Sequence, residues 1–170
     1  MDATTMRHVL GHFGSGVTVI TGLTTAGPVG FTCQSFFSLS LDPALVTFAP
    51  SRTSTSWPGI RPLASFAINI LADHQTAHST GFSRSGTDKF SGVDWRPSNF
   101  GAPVLAEALA HLDCRFWAEY DGGDHTIVAA EVMDFQVNDE RAPLLFYKGA
   151  YASVGSILPH AEPVAPTAVQ

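Results

Sequence analysis

The sequence predicts a mainly β fold with a few helices, in which antiparallel strands close into a barrel. Apolar segments rich in β-branched and aromatic residues recur between Gly-, Pro- and Asp-containing turns, and they amount to about seven strands. No strand–helix–strand alternation, which would indicate a parallel sheet, runs through them. A barrel is favoured because closure removes the exposed edges that such a meander of strands would leave.

The length and composition suit one compact domain. The chain has 170 residues, of which 45% are hydrophobic, enough for a single core. We expect this domain to span residues 1–155. Residues 156–170 contain Pro159, Pro163 and Pro166 and no hydrophobic periodicity, so we expect them to form a flexible C-terminal tail.

The first half of the chain is expected to begin with a short helix and to continue as strands. Thr4 or Thr5 can cap the helix, and Gly14 can help to end it. One face of the helix carries the apolar residues Met6, Val9, Leu10 and Phe13. Strands are then expected at 17–21, 29–32, 35–40, 44–49 and 66–71.

Two further helices and a long loop are indicated by capping residues and by composition. Ser54 can cap a helical turn that runs to Ile60, and Asp73 can cap a helix that runs to about Thr80. Residues 83–103 are rich in Gly and Pro and have little periodicity, which indicates an irregular loop. A long loop inside a compact domain usually has a function.

The second half is expected to be dominated by a long β hairpin. Apolar and polar residues alternate over 108–118, the chain turns at 121–124, and a second strand returns over 126–137. Residues 144–147 give a last strand.

Charge and cysteine content exclude several classes of function. The net charge of −6 provides no positive field for nucleic acid or anionic lipid, so neither nucleic acid nor membrane binding is expected. Cys33 and Cys114 form no CxxC pair, and no signal segment or long apolar run is present, so we expect the cytoplasm. Residues 52–96 nevertheless hold five of the nine basic residues. Scattered surface charge and a phosphate site both explain this local excess.

Residues 30–57 carry ten hydroxyl side chains among 28 residues without losing their apolar alternation. We interpret the segment as buried strands whose ends face a polar, anionic ligand. Its last turn, 51–56, opens a helix, and a helix N-terminus with several hydroxyls and Arg52 can bind phosphate. A simple N-cap would need only one hydroxyl. Arg84, after the next helix, can supply a second charge to the same anion.

Other types of site lack their signatures. Neither GxGxxG nor GxxxxGK[ST] occurs, which argues against a Rossmann site and a P-loop. His74 and His78 lie four residues apart but have no third ligand, so exposed histidines are favoured over a metal site. Cys33 has no neighbouring base or cation in the sequence, which favours a buried packing residue over a nucleophile.

The segment Asp121-Gly-Gly-Asp-His125 has two interpretations. Asp and Gly are the residues that hairpin turns require, so the segment can be a turn followed by a surface histidine. Alternatively, His125 enters a strand at one end of the barrel, where it can point into a ligand cleft.

Six motifs in order carry a family resemblance between Arg7 and Tyr151. Together they resemble the flavin reductases of two-component monooxygenases, the short-chain NAD(P)H:flavin oxidoreductases, and are most similar to actinobacterial reductases serving aromatic or steroid-ring hydroxylases. The motifs are Pro28-Val-Gly-Phe-Thr-Cys-Gln-Ser-Phe, Ser38-Leu-Ser-Leu-Asp-Pro-Ala-Leu-Val, Ala49-Pro-Ser with 54–56, Lys89-Phe-Ser-Gly-Val-Asp-Trp, Gly123-Asp-His and Leu144-Leu-Phe-Tyr-Lys-Gly-Ala-Tyr.

The resemblance implies a split β-barrel, an antiparallel Greek-key FMN-binding barrel, in a homodimer with FMN or FAD near the subunit interface. It implies hydride transfer from NADH to flavin and a monooxygenase that receives the reduced flavin. By this resemblance His125 is catalytic and flanks the nicotinamide together with Tyr147. The flavin ring and ribityl would contact Gly30, Phe31, Thr32, Cys33, Gln34, Ser35, Ala49, Pro50 and Ser51. The phosphate would contact Ser54, Thr55, Ser56, Phe82 and Arg84.

The residues and the resemblance agree on the chemistry. Hydride transfer needs a stacked nicotinamide and flavin but no protein nucleophile. NADH is favoured over NADPH, because residues 125–151 offer only Arg141 and Lys148 to a 2′-phosphate. Two alternatives remain: a non-enzymatic flavin carrier, and a split-barrel oxidase of the pyridoxamine-phosphate oxidase type, for which the chain has few lysines.

Overall fold

The structure, a computed structural model, describes residues 2–138 and 140–155. The tail expected over 156–170 lies outside the described residues. The helices are α1 (Ala3–Leu10), α2 (Trp57–Ile60) and α3 (Thr76–Ser83). The strands are β1 (Ser15–Gly16), β2 (Thr18–Thr24), β3 (Gly27–Cys33), β4 (Phe37–Leu41), β5 (Ala44–Phe48), β6 (Phe66–Ile70), β7 (Trp95–Pro97), β8 (Pro103–Leu105), β9 (Ala110–Gly122), β10 (His125–Val137), β11 (Leu145–Tyr147) and β12 (Ala150–Ala152).

Seven of these strands form one antiparallel sheet in the order β3-β2-β6-β9-β10-β5-β4. Each predicted strand of the first half lies within a few residues of β2 to β6, and the long hairpin is present as β9 and β10. A second sheet joins β1, β11 and β12, and β7 pairs with β8. The mainly β, antiparallel fold class predicted from the sequence is confirmed.

An aromatic cluster fills the interior around which the large sheet curls. Phe31 on the outer strand β3 lies 6.4 Å from Phe48 on β5, measured between ring centroids, so the two ends of the sheet share one core. Trp57 of α2 packs edge to face with Phe48 at 5.3 Å and with Phe66 of β6 at 5.9 Å. This packing of the two ends around one interior produces the split barrel.

A close contact seats α3 on β3. Gly30 has no side chain, and a Cβ there would come within 2.9 Å of both Phe82 Cε1 and the Ile20 carbonyl oxygen. Phe82 is fully buried in a second core with Val17, Leu71 and Leu144. Glycine at position 30 therefore lets the end of α3 lie directly against β3, beside the start of the following loop.

A buried asparagine joins three strands. Asn69 of β6 donates through Nδ2 to the Val19 carbonyl at 3.1 Å and to Thr21 Oγ1 at 3.0 Å. Its Oδ1 accepts the Leu105 amide proton at 2.9 Å. The side-chain amide is fully buried, and both its nitrogen and its oxygen are hydrogen-bonded, so it fixes β8 relative to β2 and β6.

The N-cap residues of the helices differ from the sequence predictions. Asp2 caps α1 in place of Thr4 or Thr5, because its carboxylate accepts the Thr5 amide proton at 2.8 Å. Helix α3 begins at Thr76 with Gln75 as its N-cap residue, because Ala72 pairs with Pro143 and the chain then turns, with the Gln75 amide donating to the Ala72 carbonyl at 2.9 Å.

The remaining boundaries agree more closely with the sequence. Helix α2 ends at Ile60 as predicted, and the Ser54 hydroxyl accepts the Trp57 amide proton at 3.1 Å, but the N-cap residue is Ser56 rather than the predicted Ser54. The predicted loop at 83–103 is irregular apart from β7 and the start of β8. The last predicted strand, β11, turns through Lys148 and Gly149 at positive φ into β12, which was not predicted. None of the helices described is both long and apolar enough to cross a membrane.

Candidate functional site

A cleft of about 510 Å³ lies where the end of β3, the segment after β5 and the start of β10 meet. This volume is in the range of small-molecule sites. All but four of the predicted binding residues line it; the exceptions are Gly30, Ser56, Arg84 and Tyr147. The lining residues are Phe31, Thr32, Cys33, Gln34, Ser35, Ala49, Pro50, Ser51, Thr53, Ser54, Thr55, Phe82, Ser83, Ser85, Lys89 and His125.

Several hydroxyls of the cleft also hold its walls in place. Ser35 Oγ accepts the Ala49 amide proton at 2.8 Å, which ties the end of β3 to the segment after β5. Thr32 Oγ1 donates to the Ser79 carbonyl of α3 at 2.6 Å. The hydroxyl-rich sequence therefore has a structural role as well as a place at the ligand surface.

Lys89 is a site residue that the sequence analysis did not single out. Its ammonium donates to the Gly30 carbonyl at 3.0 Å and to Ser56 Oγ at 3.2 Å, and Ser56 Oγ donates to the same carbonyl at 2.8 Å. Burial lowers the pKa of this ammonium. Two of its three N–H donors are engaged, which leaves one for a ligand in the cleft.

Gly30 and Ser56 therefore lie behind the cleft wall rather than in it. Both contact Lys89, so their connection to a ligand runs through its ammonium. The sequence signal for Lys89 was weak: it belongs to the locally basic segment and begins one motif, but it lies 59 positions from Gly30 along the chain.

His125 reaches the cleft because the hairpin tip pairs with the 51–56 turn. Ser51 and His125 form an antiparallel bridge, and the Thr126 amide donates to the Pro50 carbonyl at 3.0 Å. The ring Nδ1 of His125 lies 2.7 Å from Asp124 Oδ1. This hydrogen bond lowers the pKa of the Asp124 carboxyl. Of the two interpretations of this histidine, the structure favours the one that faces a cleft.

Arg52 does not face the cleft. Its Nε donates to the Gly123 carbonyl and its Nη2 to Asp121 Oδ1, each at 2.7 Å. The phosphate role considered for this arginine is therefore not supported, because its guanidinium binds the β9–β10 hairpin instead.

Arg84 and Tyr147 lie outside the main cleft. Arg84 lines an adjoining cavity of about 320 Å³, which shares Phe82 and Lys89 with the cleft. Tyr147 is on β11 in the smaller sheet, with its ring centroid 6.5 Å from that of His12.

The remaining candidate groups are placed as follows. Cys33 is a free, buried thiol 3.2 Å from Ser35 Oγ. His74 Nε2 lies 3.1 Å from Glu107 Oε2 on the surface. Within residues 2–138 and 140–155, no group of three or more His, Cys, Asp or Glu residues is arranged to hold a metal ion.

The chemistry of the cleft fits a planar ligand that carries an anionic group. Phe31, Pro50 and Phe82 supply apolar surface, and the segments 31–35 and 51–55 supply polar side chains. Lys89 supplies the positive charge. A flavin nucleotide has these properties, so the residues present fit such a group.

Comparison with known proteins places the chain in a family. Residues 10–155 match the family model described as "Flavin reductase like domain". The chain is 44% identical over 154 residues to "Flavin-dependent monooxygenase, reductase subunit HsaB" of Rhodococcus jostii (strain RHA1), covering 91% of this chain and 79% of that protein. It is 40% identical over 150 residues to "FMN reductase (NADH) SmoA" of Agrobacterium fabrum (strain C58 / ATCC 33970), covering 88% and 85%.

A solved structure of a related protein has the same fold as this chain. "Streptomyces globisporus C-1027 NADH:FAD oxidoreductase SgcE6 in complex with NAD and FAD fragments" has a TM-score of 0.84 at 34% identity, covering 99% of this chain and 96% of that chain. The family model covers most of the chain and the solved structure shares its fold, so the chain belongs to the flavin reductase like domain family.

Proposed function

We propose that this protein is an NADH-dependent flavin reductase, which reduces FMN or FAD and supplies the reduced flavin to a separate monooxygenase. The observation that carries the proposal is the cleft, which brings the hydroxyl-rich 51–55 turn, Lys89 and His125 to one place. Relatives named as a monooxygenase reductase subunit, an NADH-dependent FMN reductase and an NADH:FAD oxidoreductase support it.

The protein's part in this reaction is to bind and orient. A bound flavin accepts a hydride from NADH, and that chemistry belongs to the cofactors. Segment 31–35 holds the ring and the ribityl chain mostly through backbone groups, and segment 49–51 extends that wall. Ser54, Thr55 and Phe82 surround the phosphate end, which carries close to two negative charges.

We assign the main phosphate charge contact to Lys89. Its ammonium is held by Gly30 and Ser56 at the cleft wall, and its burial strengthens any charge-assisted hydrogen bond to a phosphate. Arg84 lies in the adjoining cavity, from which its longer side chain can contribute a second charge.

We propose that His125 lies beside the nicotinamide. The contact between Nδ1 and Asp124 orients the ring, and Nε2 has no hydrogen-bond partner in the described part of the chain. That nitrogen is available to the nicotinamide carboxamide. Tyr147 keeps its proposed place on the nicotinamide side by family resemblance alone.

NADH is the proposed hydride donor. A 2′-phosphate on NADPH would need a free basic group near His125 or Tyr147. Arg141 donates to Glu107 Oε1 at 3.1 Å, so that guanidinium is already paired with a carboxylate. The ammonium of Lys148 lies over the Tyr147 ring, 5.3 Å from its centroid, and binding a 2′-phosphate would compete with this cation–π contact.

We further propose a homodimer in the cytoplasm. The edge strand β4 exposes three large apolar side chains on alternate positions, which supports burial against a second copy. They are Phe37, Leu39 and Leu41, exposed by 57%, 50% and 91%. Both cysteines are free thiols, in keeping with a reducing compartment.

The purified protein is expected to oxidise NADH only when FMN or FAD is added, because the flavin is the hydride acceptor. The rate of NADH oxidation is measured as the loss of NADH absorbance with FMN, with FAD and without flavin. NADPH should support slower turnover than NADH. A flavin carrier would bind FMN without consuming NADH, and an oxidase of the pyridoxamine-phosphate type would consume its amine substrate instead. Either result would reject the proposed reaction.

Replacing His125 by Ala is expected to lower kcat/KM for NADH by about tenfold, as for loss of one hydrogen bond to the nicotinamide. Flavin affinity should stay within a few fold, because the flavin contacts proposed above are unchanged. Steady-state kinetics and flavin fluorescence measure the two effects. His74→Ala, which removes an exposed imidazole that does not line the cleft, is the matched control; unchanged turnover in His125→Ala would remove this histidine from the site.

Replacing Lys89 by Gln is expected to weaken FMN binding by about tenfold, as for loss of one charge-assisted hydrogen bond. Riboflavin, which has no phosphate, should bind the variant and the wild type equally. Quenching of flavin fluorescence gives both dissociation constants. Arg115→Gln removes an exposed cation that pairs with Glu131 and serves as the control. An equal loss of affinity for riboflavin would show that Lys89 does not bind the phosphate.

Light scattering is expected to give the mass of two 18.1 kDa chains, and Leu39→Asp should give the mass of one. A buried carboxylate at an apolar interface is strongly disfavoured, which is the reason for the expected dissociation. Leu23→Asp places the same charge at another exposed leucine and should leave the dimer intact. A dimer that survives Leu39→Asp would exclude β4 as the contact.

A further inference from the structure

We infer that Arg52 is a positioning residue for His125, which acts by locking the tip of the β9–β10 hairpin onto the turn that begins at Ser51. The inference rests on the proposed function, because it assigns Arg52 a part in nicotinamide binding. It reverses the role that the sequence suggests for this arginine, namely direct contact with a phosphate.

The Arg52 side chain acts as a clamp between the 51–56 turn and the tip of the β9–β10 hairpin. One guanidinium nitrogen donates to the Gly123 carbonyl and another to Asp121 Oδ1, both at 2.7 Å. The same carboxylate oxygen accepts the Gly123 amide proton at 3.0 Å. The Arg52 side chain therefore binds the end of β9 at Asp121 and the turn at Gly123, 69 and 71 positions away in the sequence.

Backbone contacts pass this constraint to the histidine. The Arg52 amide donates to the Asp124 carbonyl at 2.9 Å, directly before His125. Ser51 pairs with His125 itself, and the Thr126 amide donates to the Pro50 carbonyl at 3.0 Å. The side chain and backbone of Arg52 thus hold the residues on both sides of the turn, and His125 has little freedom to move relative to the cleft.

The charges of the clamp indicate that it holds the hairpin tip and contributes little to the stability of the whole fold. The pKa of the Asp121 carboxyl is lowered by the Gly123 amide and by Arg52, so the carboxylate is charged at neutral pH. The side chains of Arg52 and Asp121 are 53% and 81% exposed, and exposed ion pairs contribute little to global stability. Loss of the clamp should therefore loosen the hairpin tip and leave the core unchanged.

The chain contains a closely matched pair that lacks this connection to the cleft. Arg61, after α2, donates through Nε and Nη2 to Glu119 of β9 at 2.8 and 2.9 Å. Its side chain is 47% exposed, and it joins the same hairpin two positions before Asp121. Arg61 does not line the cleft and does not contact the turn at Gly123. Arg61→Gln is therefore the control for Arg52→Gln.

The first measurement uses the ligand-free protein and does not depend on activity. In Arg52→Gln the amide of Thr126 should exchange its proton about tenfold faster than in wild type, since its local structure is loosened. The amide of Ile68, in the central strand β6, should exchange at the wild-type rate in Arg52→Gln. Arg61→Gln should leave both amides unchanged. Unaltered exchange at Thr126 in Arg52→Gln would overturn the clamp.

The second measurement is a double-mutant cycle between Arg52 and His125, in which the kinetics of NADH oxidation are measured. Arg52→Gln should raise the KM for NADH about fivefold to tenfold, while flavin affinity stays within about twofold, and Arg52→Lys should give a smaller rise. In the His125→Ala background, Arg52→Gln should have almost no further effect on kcat/KM. Arg61→Gln should behave as wild type.

Three results would overturn the inference. If Arg52→Gln lowers kcat/KM equally with and without His125, the two residues act independently. If Arg52→Gln weakens FMN binding as much as it raises the KM for NADH, Arg52 contacts the phosphate directly. Faster Thr126 exchange in Arg52→Gln with unchanged NADH kinetics would show that the clamp exists but does not position His125. If the wild-type protein does not oxidise NADH with either flavin, the proposed function fails, and the exchange measurement still decides whether the clamp exists.

Discussion

Contact among Phe31, Phe48, Trp57 and Phe66 is the interaction on which the rest of this structure depends. These side chains come from an outer strand, from a strand near the opposite edge, from α2 and from the centre of the sheet. Edge-to-face aromatic pairs add about 0.5–1.5 kcal/mol beyond the burial of their surface. By joining both ends of the sheet to one interior, they bring the end of β3 beside the segment after β5, where the cleft lies.

The cleft is therefore built from the ends of strands that the core already places. Ser35 closes the gap between the two segments by binding Ala49, and Gly30 lets Phe82 and α3 approach β3 closely. Lys89 follows α3 and reaches back to the Gly30 carbonyl, which gives an acidic protein one half-buried positive charge at the cleft wall. The packing of α3 thus determines the electrostatics of the site.

Local signals predicted the elements that depend on local contacts. The alternation of residues on both sides of 121–124 predicted β9 and β10, because a hairpin is specified by its turn and by its strand pattern. Capping was predicted less well. Asp73 is a suitable cap residue, but the long-range pairing of Ala72 with Pro143 is followed by a turn from Ala72 to Gln75, and the helix starts only after that turn.

The sequence by itself determined the fold class, the family and most of the cleft lining, since strand patterns and motifs such as Gly30-Phe-Thr-Cys-Gln-Ser are properties of neighbouring residues. Only the tertiary structure decided what the charged groups do. Lys89 lies at the cleft wall, and Arg52 turns away from it to bind Asp121 and Gly123. The physical reason is that a charged side chain takes its role from its hydrogen-bond partners, and here those partners are distant in sequence.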